Sequence, residues 1–137
     1  MTTLTWRGGL HFEALPPSGS PLHMDAYPDS GGEGHGPTPL EAFLSALAAC
    51  SAMDVISIMQ KKQQRVTSYR VEIDGVRGPE GVFPRPYASI TVRHIVSGEN
   101  IDMAALQRSV QLSEEKYCAV LATLRESPAV HAECVVE

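Results

Sequence analysis

The most regular pattern along the chain is an apolar helix pattern that begins after Thr38. From residue 40 to about Lys62, apolar side chains recur at the 3.6-residue spacing of a helix, and further apolar residues occupy the opposite side. Thr38, Pro39 and Glu41 have the spacing of a capping box with proline at the first helical position. The pattern predicts a long helix, enclosed on most sides, that begins at Pro39.

The chain before this helix has the turn residues and short apolar runs of a β-meander. Segments 4–7, 10–15 and 22–27 are separated by glycine-rich and proline-rich turns, which predicts two hairpins. Segment 28–36 contains four glycines and no lysine, so it is a loop without the pattern of a nucleotide-binding P-loop.

The chain after the long helix contains two alternating segments, 66–76 and 87–96, which predict an antiparallel strand pair. Helices are expected to open at 100–102 and, with Ser113 as the cap, in the segment that follows. Segment 130–136 is predicted to be a terminal strand. Because strands and helices are segregated along the chain, the order favours an α+β fold.

Composition limits the class of protein. The 137 residues suit a single domain over 1–137, and 43% hydrophobic residues suffice for a core. A net charge of -5 lacks the basic field that nucleic-acid binding requires. The apolar run of about 12 residues within the long helix is short of the roughly 20 needed to span a membrane. With no signal-peptide pattern at the start, we expect a cytoplasmic protein without nucleic-acid or membrane partners.

The three cysteines, Cys50, Cys118 and Cys134, are too few for a disulfide scaffold and form no C-x-x-C pair. They are free thiols or a redox pair. Cys50 lies roughly 18 Å along the helix from its cap, so the helix dipole does not activate it. A reactive Cys50 therefore needs a cation from elsewhere in the fold or from a second subunit. The alternative is that it is a small core residue.

Two segments around these cysteines resemble a known family. The run 38–51, TPLEAFLSALAACS, continues through 54–58, and the second segment is LSEEKYC at 112–118. Both resemble elements of the OsmC/Ohr family, named for osmotically induced protein C and organic hydroperoxide resistance, and most closely its YhfA-like branch. The resemblance implies an OsmC-like fold, with antiparallel sheets around a long central helix that bears the cysteine, in an intertwined homodimer.

The resemblance also implies thiol peroxidase chemistry. Cys50 corresponds to the peroxidatic cysteine, whose thiolate cleaves the O–O bond of an organic hydroperoxide and becomes a sulfenic acid. Cys118 corresponds to the resolving cysteine, which condenses with it to a disulfide. An external dithiol, of lipoyl or thioredoxin-like type, then reduces the disulfide, and no cofactor is required.

Five further residues are candidates for substrate binding. Phe43, Leu47 and Met53 would form an apolar wall beside Cys50, and Tyr117 and His35 would border the pocket. Each also has an ordinary interpretation, since apolar helix residues commonly form core and loop histidines are commonly solvated.

The chain departs from the family at the groups that activate the thiol. Leu40 stands where the well-studied hydroperoxide reductases have a glutamate, and the acid follows at Glu41, whose capping role already explains it. Arg7 is the only arginine before the helix and the candidate for the activating cation. Asp54, one turn after Cys50, would oppose thiolate formation.

The five histidines are dispersed along the chain and lack paired ligand spacing, so no metal site is expected. Two alternatives to the peroxidase stay open. The chain is a non-catalytic module that binds a small lipophilic ligand or senses redox state, or its cysteines are purely structural. A cation near Cys50 would discriminate between these hypotheses and the enzyme.

Overall fold

The computed structural model describes residues 1–136 and divides the chain into two compact units. Unit 1 comprises Met1–Ala46, and unit 2 begins at Leu47. A single domain over 1–137 stays a prediction.

Unit 1 contains a three-stranded antiparallel sheet. Its strands are β1 (Thr3–Trp6), β2 (Phe12–Leu15) and β3 (Leu22–Met24), in the order β1-β2-β3. These are the two predicted hairpins, with β1 shifted by one residue and with β2 and β3 shorter than predicted. The second strand begins at Phe12 rather than at residue 10, because the turn extends as far as His11, whose backbone N–H donates to the carbonyl of Gly8 at 2.9 Å.

The long helix α1 (Pro39–Lys61) begins where its capping box predicts. The Glu41 backbone N–H donates to Thr38 Oγ1 at 3.3 Å, and the Glu41 carboxylate accepts from the Thr38 backbone N–H at 2.7 Å. Each side chain therefore satisfies a backbone donor that would otherwise be unpaired at the helix start.

The burial of α1 differs from the prediction. Its buried residues are spaced four apart and form one stripe, consisting of Leu47, Ser51, Val55 and Met59. Met53, on another face, is 69% exposed. The expectation that the helix is enclosed on most sides is wrong for this chain, because its packing buries only one face. By length and composition alone α1 could cross a membrane, with a mean hydropathy of 1.8, but Val55 and Met59 of its buried stripe belong to the core of unit 2.

Unit 2 is built on a long antiparallel hairpin. Strands β4 (Arg65–Arg77) and β5 (Tyr87–Glu99) pair in a register that includes Tyr69 opposite Val96. Val55, Met59 and Ala105 form the centre of the core. Partly buried side chains from both strands and from the helix that follows pack around them, namely Val66, Tyr69, Val96, Ile101, Leu106 and Val110.

The helical region of unit 2 consists of α2 (Met103–Leu112), a π-helical turn (Ser113–Tyr117) and α3 (Ala119–Glu126). Asp102 caps α2 by accepting from the Ala104 backbone N–H at 2.9 Å. The expectation that Ser113 caps the next helix is wrong. The chain continues helically through Ser113 and leaves helical geometry at Cys118 (φ -70°, ψ 96°), which occupies the cap position of α3.

The predicted terminal strand at 130–136 is also wrong. No strand occurs among residues 128–136 of the described chain, where Val130 and Val136 are 88% and 98% exposed. A strand requires a ladder partner for its backbone groups, and alternation in sequence does not supply one.

Candidate dithiol site

Cys50 and Cys118 lie together in unit 2. The two sulfurs and a carboxylate oxygen of Asp54 all lie within 4.8 Å of one another. Cys50 and Asp54 are one turn apart on α1, which places them on the same helix face, and Cys118 immediately precedes α3. Both cysteines are free thiols. Cys118 is only 3% exposed, whereas Cys50 is partly exposed and is the more accessible sulfur.

The environment of Cys118 favours its protonated form. Burial is the largest effect and raises the pKa of the Cys118 thiol above its ordinary value of 9.0. The neighbouring Cys50 and Asp54 raise this pKa further, while the backbone N–H of Leu121 opposes the shift. Cys118 is therefore a thiol rather than a thiolate at neutral pH.

A chain of polar side chains leads away from the dithiol. Ser113 Oγ donates to Asp54 Oδ2 at 2.9 Å and lies 3.3 Å from Ser51 Oγ. Ser51 Oγ lies 3.4 Å from His94 Nε2, and His94 Nδ1 lies 2.7 Å from the Tyr69 hydroxyl. We call these five residues the polar chain. No spacing pattern in the sequence indicates this polar chain, although Ser51 and Asp54 stand out as polar residues in an apolar helix.

The polar chain ends in two groups that are neutral at pH 7. Burial lowers the pKa of His94 from its ordinary 6.5, and the charge of Glu114 partly offsets this. Burial raises the pKa of Tyr69 to about 12. His94 can therefore accept or relay a proton without carrying a permanent charge.

A cavity of about 310 Å³ lies beside Asp54, and neither cysteine is among its lining residues. Its lining combines apolar side chains with one acid and one base: Asp54, Ser57, Ile58, Lys61, Leu112 and Tyr117. Asp54 therefore borders both the two sulfurs and a space that a small molecule could enter.

The predicted substrate-binding residues occupy different environments. Tyr117 lines this cavity, as a pocket residue would, and is 50% exposed. Leu47 is only 4% exposed and lies in the buried stripe of α1, whereas Met53 is exposed. Phe43 is partly buried in unit 1. Their role in substrate binding stays a prediction.

The two candidates for activating groups have local partners in unit 1. Arg7 forms an ion pair with Glu13 at 2.7 Å, and the carboxylate of Glu41 is held by the helix cap and by the Tyr27 hydroxyl. In the part of the chain that the structure describes, Asp54 forms no ion pair. The groups whose charge acts on the pKa of Cys118 are Cys50 and Asp54, and both raise it.

His35, the remaining predicted residue, belongs to a histidine cluster in unit 1. Its ring lies 2.9 Å from the buried carboxylate of Asp25 and stacks on the His11 ring with centroids 4.4 Å apart. His11 in turn lies 3.0 Å from His23. These histidines are dispersed in sequence, because the hairpin and the glycine-rich loop that bring them together leave no spacing pattern.

The fold and the site define a class of protein, an α+β protein in which two cysteines remote in sequence form a dithiol between a long helix and the start of a later one. Comparison with known families places the chain within that class. Residues 32–133 match the family model described as "OsmC-like protein". The chain belongs to the OsmC-like family, which confirms the resemblance found in the sequence.

Individual relatives agree with this assignment. The chain is 38% identical to protein YhfA of Escherichia coli K12 over 122 residues, covering 89% of this chain and 87% of that protein. A hypothetical protein from Aquifex aeolicus has a similar structure, with a TM-score of 0.77, 29% identity, and coverage of 93% of this chain and 87% of that one.

The fold also resembles that of a Legionella pneumophila protein described as an organic hydroperoxide resistance protein OsmC. The TM-score is 0.64 at 16% identity, with coverage of 91% of this chain and 89% of that one. The OsmC-like α+β fold is therefore confirmed.

Proposed function

We propose that the protein is a thiol-dependent peroxidase that reduces organic hydroperoxides, with Cys50 as the peroxidatic and Cys118 as the resolving cysteine. The observation that carries this proposal is the convergence of the two sulfurs to within 4.8 Å. The description of the Legionella pneumophila protein as a hydroperoxide resistance protein supports the substrate class.

In the first step, the Cys50 thiolate attacks one oxygen of the peroxide O–O bond. The bond breaks, the second oxygen takes a proton and leaves as an alcohol, and Cys50 becomes a sulfenic acid. Cys50 takes this role because it is the more exposed sulfur, whereas burial raises the pKa of Cys118 and keeps it protonated.

In the second step, Cys118 attacks the sulfenic sulfur of Cys50. The Cys118 proton and the sulfenic hydroxyl leave together as water, and a disulfide forms. The two sulfurs must approach from at most 4.8 Å to the disulfide distance of about 2.05 Å, which requires side-chain rotation and a movement of the chain at the start of α3. Asp54 lies within reach of both sulfurs, and its carboxylate, held by Ser113, transfers the proton.

An external dithiol, of lipoyl or thioredoxin-like type, then reduces the disulfide by thiol–disulfide exchange and restores both thiols. The cavity beside Asp54 offers it and the peroxide a route to the site. The apolar side chains of Ile58 and Leu112 in its lining suit an alkyl or aryl peroxide better than hydrogen peroxide.

The proposal includes a cytoplasmic homodimer. The exposed apolar face of α1, with Met53 69% exposed, supports a partner subunit, because so apolar a helix is ordinarily covered.

The test is to add one equivalent of cumene hydroperoxide to the reduced protein and map the products by mass spectrometry. We expect a disulfide between Cys50 and Cys118, absent in Cys50→Ser and unchanged in Cys134→Ser, whose exposed thiol is the matched control. If the peroxide disappears no faster than in buffer and both thiols remain alkylatable, the proposal fails.

A second candidate is a redox-sensing or lipophilic-ligand module of the same fold. Asp54, an acid, stands beside the thiols where an activating cation would be expected, and this favours slow chemistry. A second cavity, of about 410 Å³ and with Met103, Leu106 and Val110 in its lining, offers an apolar binding space. This alternative would be favoured if Cys50 and Cys118 are oxidised once per chain and no further peroxide is consumed when an external dithiol reductant is present in excess.

A further inference from the structure

The three groups at the dithiol have the chemistry of a metal-ligand set. Cys50, Cys118 and Asp54 supply two sulfurs and one carboxylate oxygen, all within 4.8 Å of one another. Sulfur ligands select soft or borderline cations, such as zinc and cadmium, over magnesium and calcium, which prefer oxygen. The spacing along the chain predicts that Cys50 and Asp54 share a helix face, but Cys118 joins them only through the fold, because it lies at the start of a later helix.

The geometry suits a tetrahedral ion after a small adjustment. Ligand atoms about 2.0–2.3 Å from a tetrahedral zinc ion lie roughly 3.3–3.8 Å from one another. Ligand atoms that now lie up to 4.8 Å apart would need to approach one another by roughly 1 Å to reach the upper end of that range. Cys50 and Asp54 already share one helix face, so rotation of these side chains and a shift of the turn that carries Cys118 can supply this approach.

The carboxylate is oriented as a metal ligand requires. Ser113 is fully buried and donates to Asp54 Oδ2 at 2.9 Å, which restrains the carboxylate while leaving its other oxygen for an ion. Hydrogen bonds of this kind to ligating groups commonly change metal affinity by about 10- to 100-fold. Three protein ligands leave a fourth position for water, and the cavity beside Asp54 gives an entry path.

Charge favours a cation here as well. Two sulfurs and a carboxylate converge, and within the described residues no arginine or lysine forms an ion pair with Asp54. A divalent cation displaces the two thiol protons to solvent as it binds, and it then neutralises the thiolates and the carboxylate together.

We propose that reduced Cys50, Cys118 and Asp54 form a binding site for a thiophilic divalent cation of the zinc class. Binding uses a lone pair of each sulfur, so the loaded site and the Cys50–Cys118 disulfide exclude each other. A further consequence, that the bound cation slows reduction of peroxide, rests on the proposed function. The binding itself does not.

The experiment titrates cobalt(II), as a spectroscopic substitute for zinc, into reduced protein freed of metal by a chelator. We expect a sulfur-to-cobalt charge-transfer band and the visible bands of a tetrahedral ion, saturating at one equivalent per chain and displaced by zinc. The same protein oxidised to the Cys50–Cys118 disulfide should show neither band, which tests the site without any substitution.

Variants identify the ligands. Cys50→Ser and Cys118→Ser should abolish the charge-transfer band at one equivalent, and Asp54→Asn should weaken binding by at least about tenfold. The matched controls are Cys134→Ser and Asp29→Asn, an exposed thiol and an exposed carboxylate, both expected to bind as the unaltered chain does. Circular dichroism establishes that each variant is folded, and Cys118→Ala replaces Cys118→Ser if the buried serine prevents folding.

Two results would overturn the proposal: no cobalt band in reduced protein whose thiols are shown to be free, or unchanged affinity in Asp54→Asn. Peroxide reduction measured separately in the presence of the chelator tests the peroxidase alone. Metal binding without peroxidase activity, or activity without metal binding, therefore distinguishes failure of one proposal from failure of the other.

Discussion

Ser113 donates a 2.9 Å hydrogen bond to the carboxylate of Asp54, a residue 59 positions earlier in the chain. Ser113 belongs to the π-helical turn that follows α2, and Asp54 to the helix that carries Cys50. This bond links the turn that leads to Cys118 with the helix that carries Cys50. We therefore expect it to influence both the position of the Asp54 carboxylate and the approach of the two cysteines.

Ser113→Ala should slow disulfide formation about tenfold while leaving the first oxidation of Cys50 nearly unchanged. The substitution releases the Asp54 carboxylate that we propose transfers the Cys118 proton. The measurement is the ratio of trapped sulfenic acid to disulfide over time by mass spectrometry. Ser109→Ala is the control, since Ser109 is equally buried but bonds only within α2, to the Ala105 carbonyl. Equal rates of disulfide formation in Ser113→Ala and Ser109→Ala would contradict the role of Ser113.

His94→Gln should flatten the dependence of stability on pH. Burial lowers the folded-state pKa of His94 below its ordinary 6.5. Well above pH 6.5, His94 is therefore neutral in both the folded and the unfolded state, and its contribution to the free energy of unfolding is fully present. As pH falls below 6.5, the unfolded chain binds the proton more readily, and stability is lost down through the folded-state pKa. The free energy of unfolding in urea should therefore fall less between pH 7 and 5 in the variant. Tyr69 and Glu114 are the titratable groups nearby.

The control for this measurement is His131→Gln, in the exposed terminal segment. It should retain the pH dependence of the unaltered chain. A slope in His94→Gln equal to that of this control would show that His94 does not titrate as its burial requires.

Met59→Ala should destabilise the protein by roughly 2–5 kcal/mol. Met59 is fully buried at the centre of the unit 2 core, and its truncation removes apolar contacts and leaves a cavity. Chemical denaturation at constant protein concentration measures the change. A loss below 1 kcal/mol would contradict the packing described here.

Met53→Lys should convert the protein from dimer to monomer. Met53 is 69% exposed in the single chain, and a charge placed on the apolar face of α1 would be costly to bury against a partner subunit. Sedimentation velocity gives the oligomeric state. Met103→Lys, a methionine 63% exposed on α2, is the control and should leave it unchanged. A dimeric Met53→Lys would place the interface elsewhere.

The sequence by itself determined the elements whose signals are local. The capping box of Thr38 and Glu41 specifies the start of α1, because both hydrogen bonds join residues three apart. Alternation specified β4 and β5, since it records which face of each strand is covered. The segregated order of elements specified the α+β class, and two short motifs around Cys50 and Cys118 specified the family.

Tertiary structure decided the surroundings of the two cysteines that the sequence motifs had singled out. Nothing local to Ser113 or His94 indicates a connection to Cys50, and the sequence failed where an outcome depends on a distant partner. The segment 130–136 alternates but forms no strand, and α1 is apolar all round yet is covered on one stripe. Local patterns fix backbone geometry and which side chains share a face. Only the packing of α1 against the turn before α3 brings Cys50, Asp54 and Cys118 within 4.8 Å, because that distance depends on how separate elements meet.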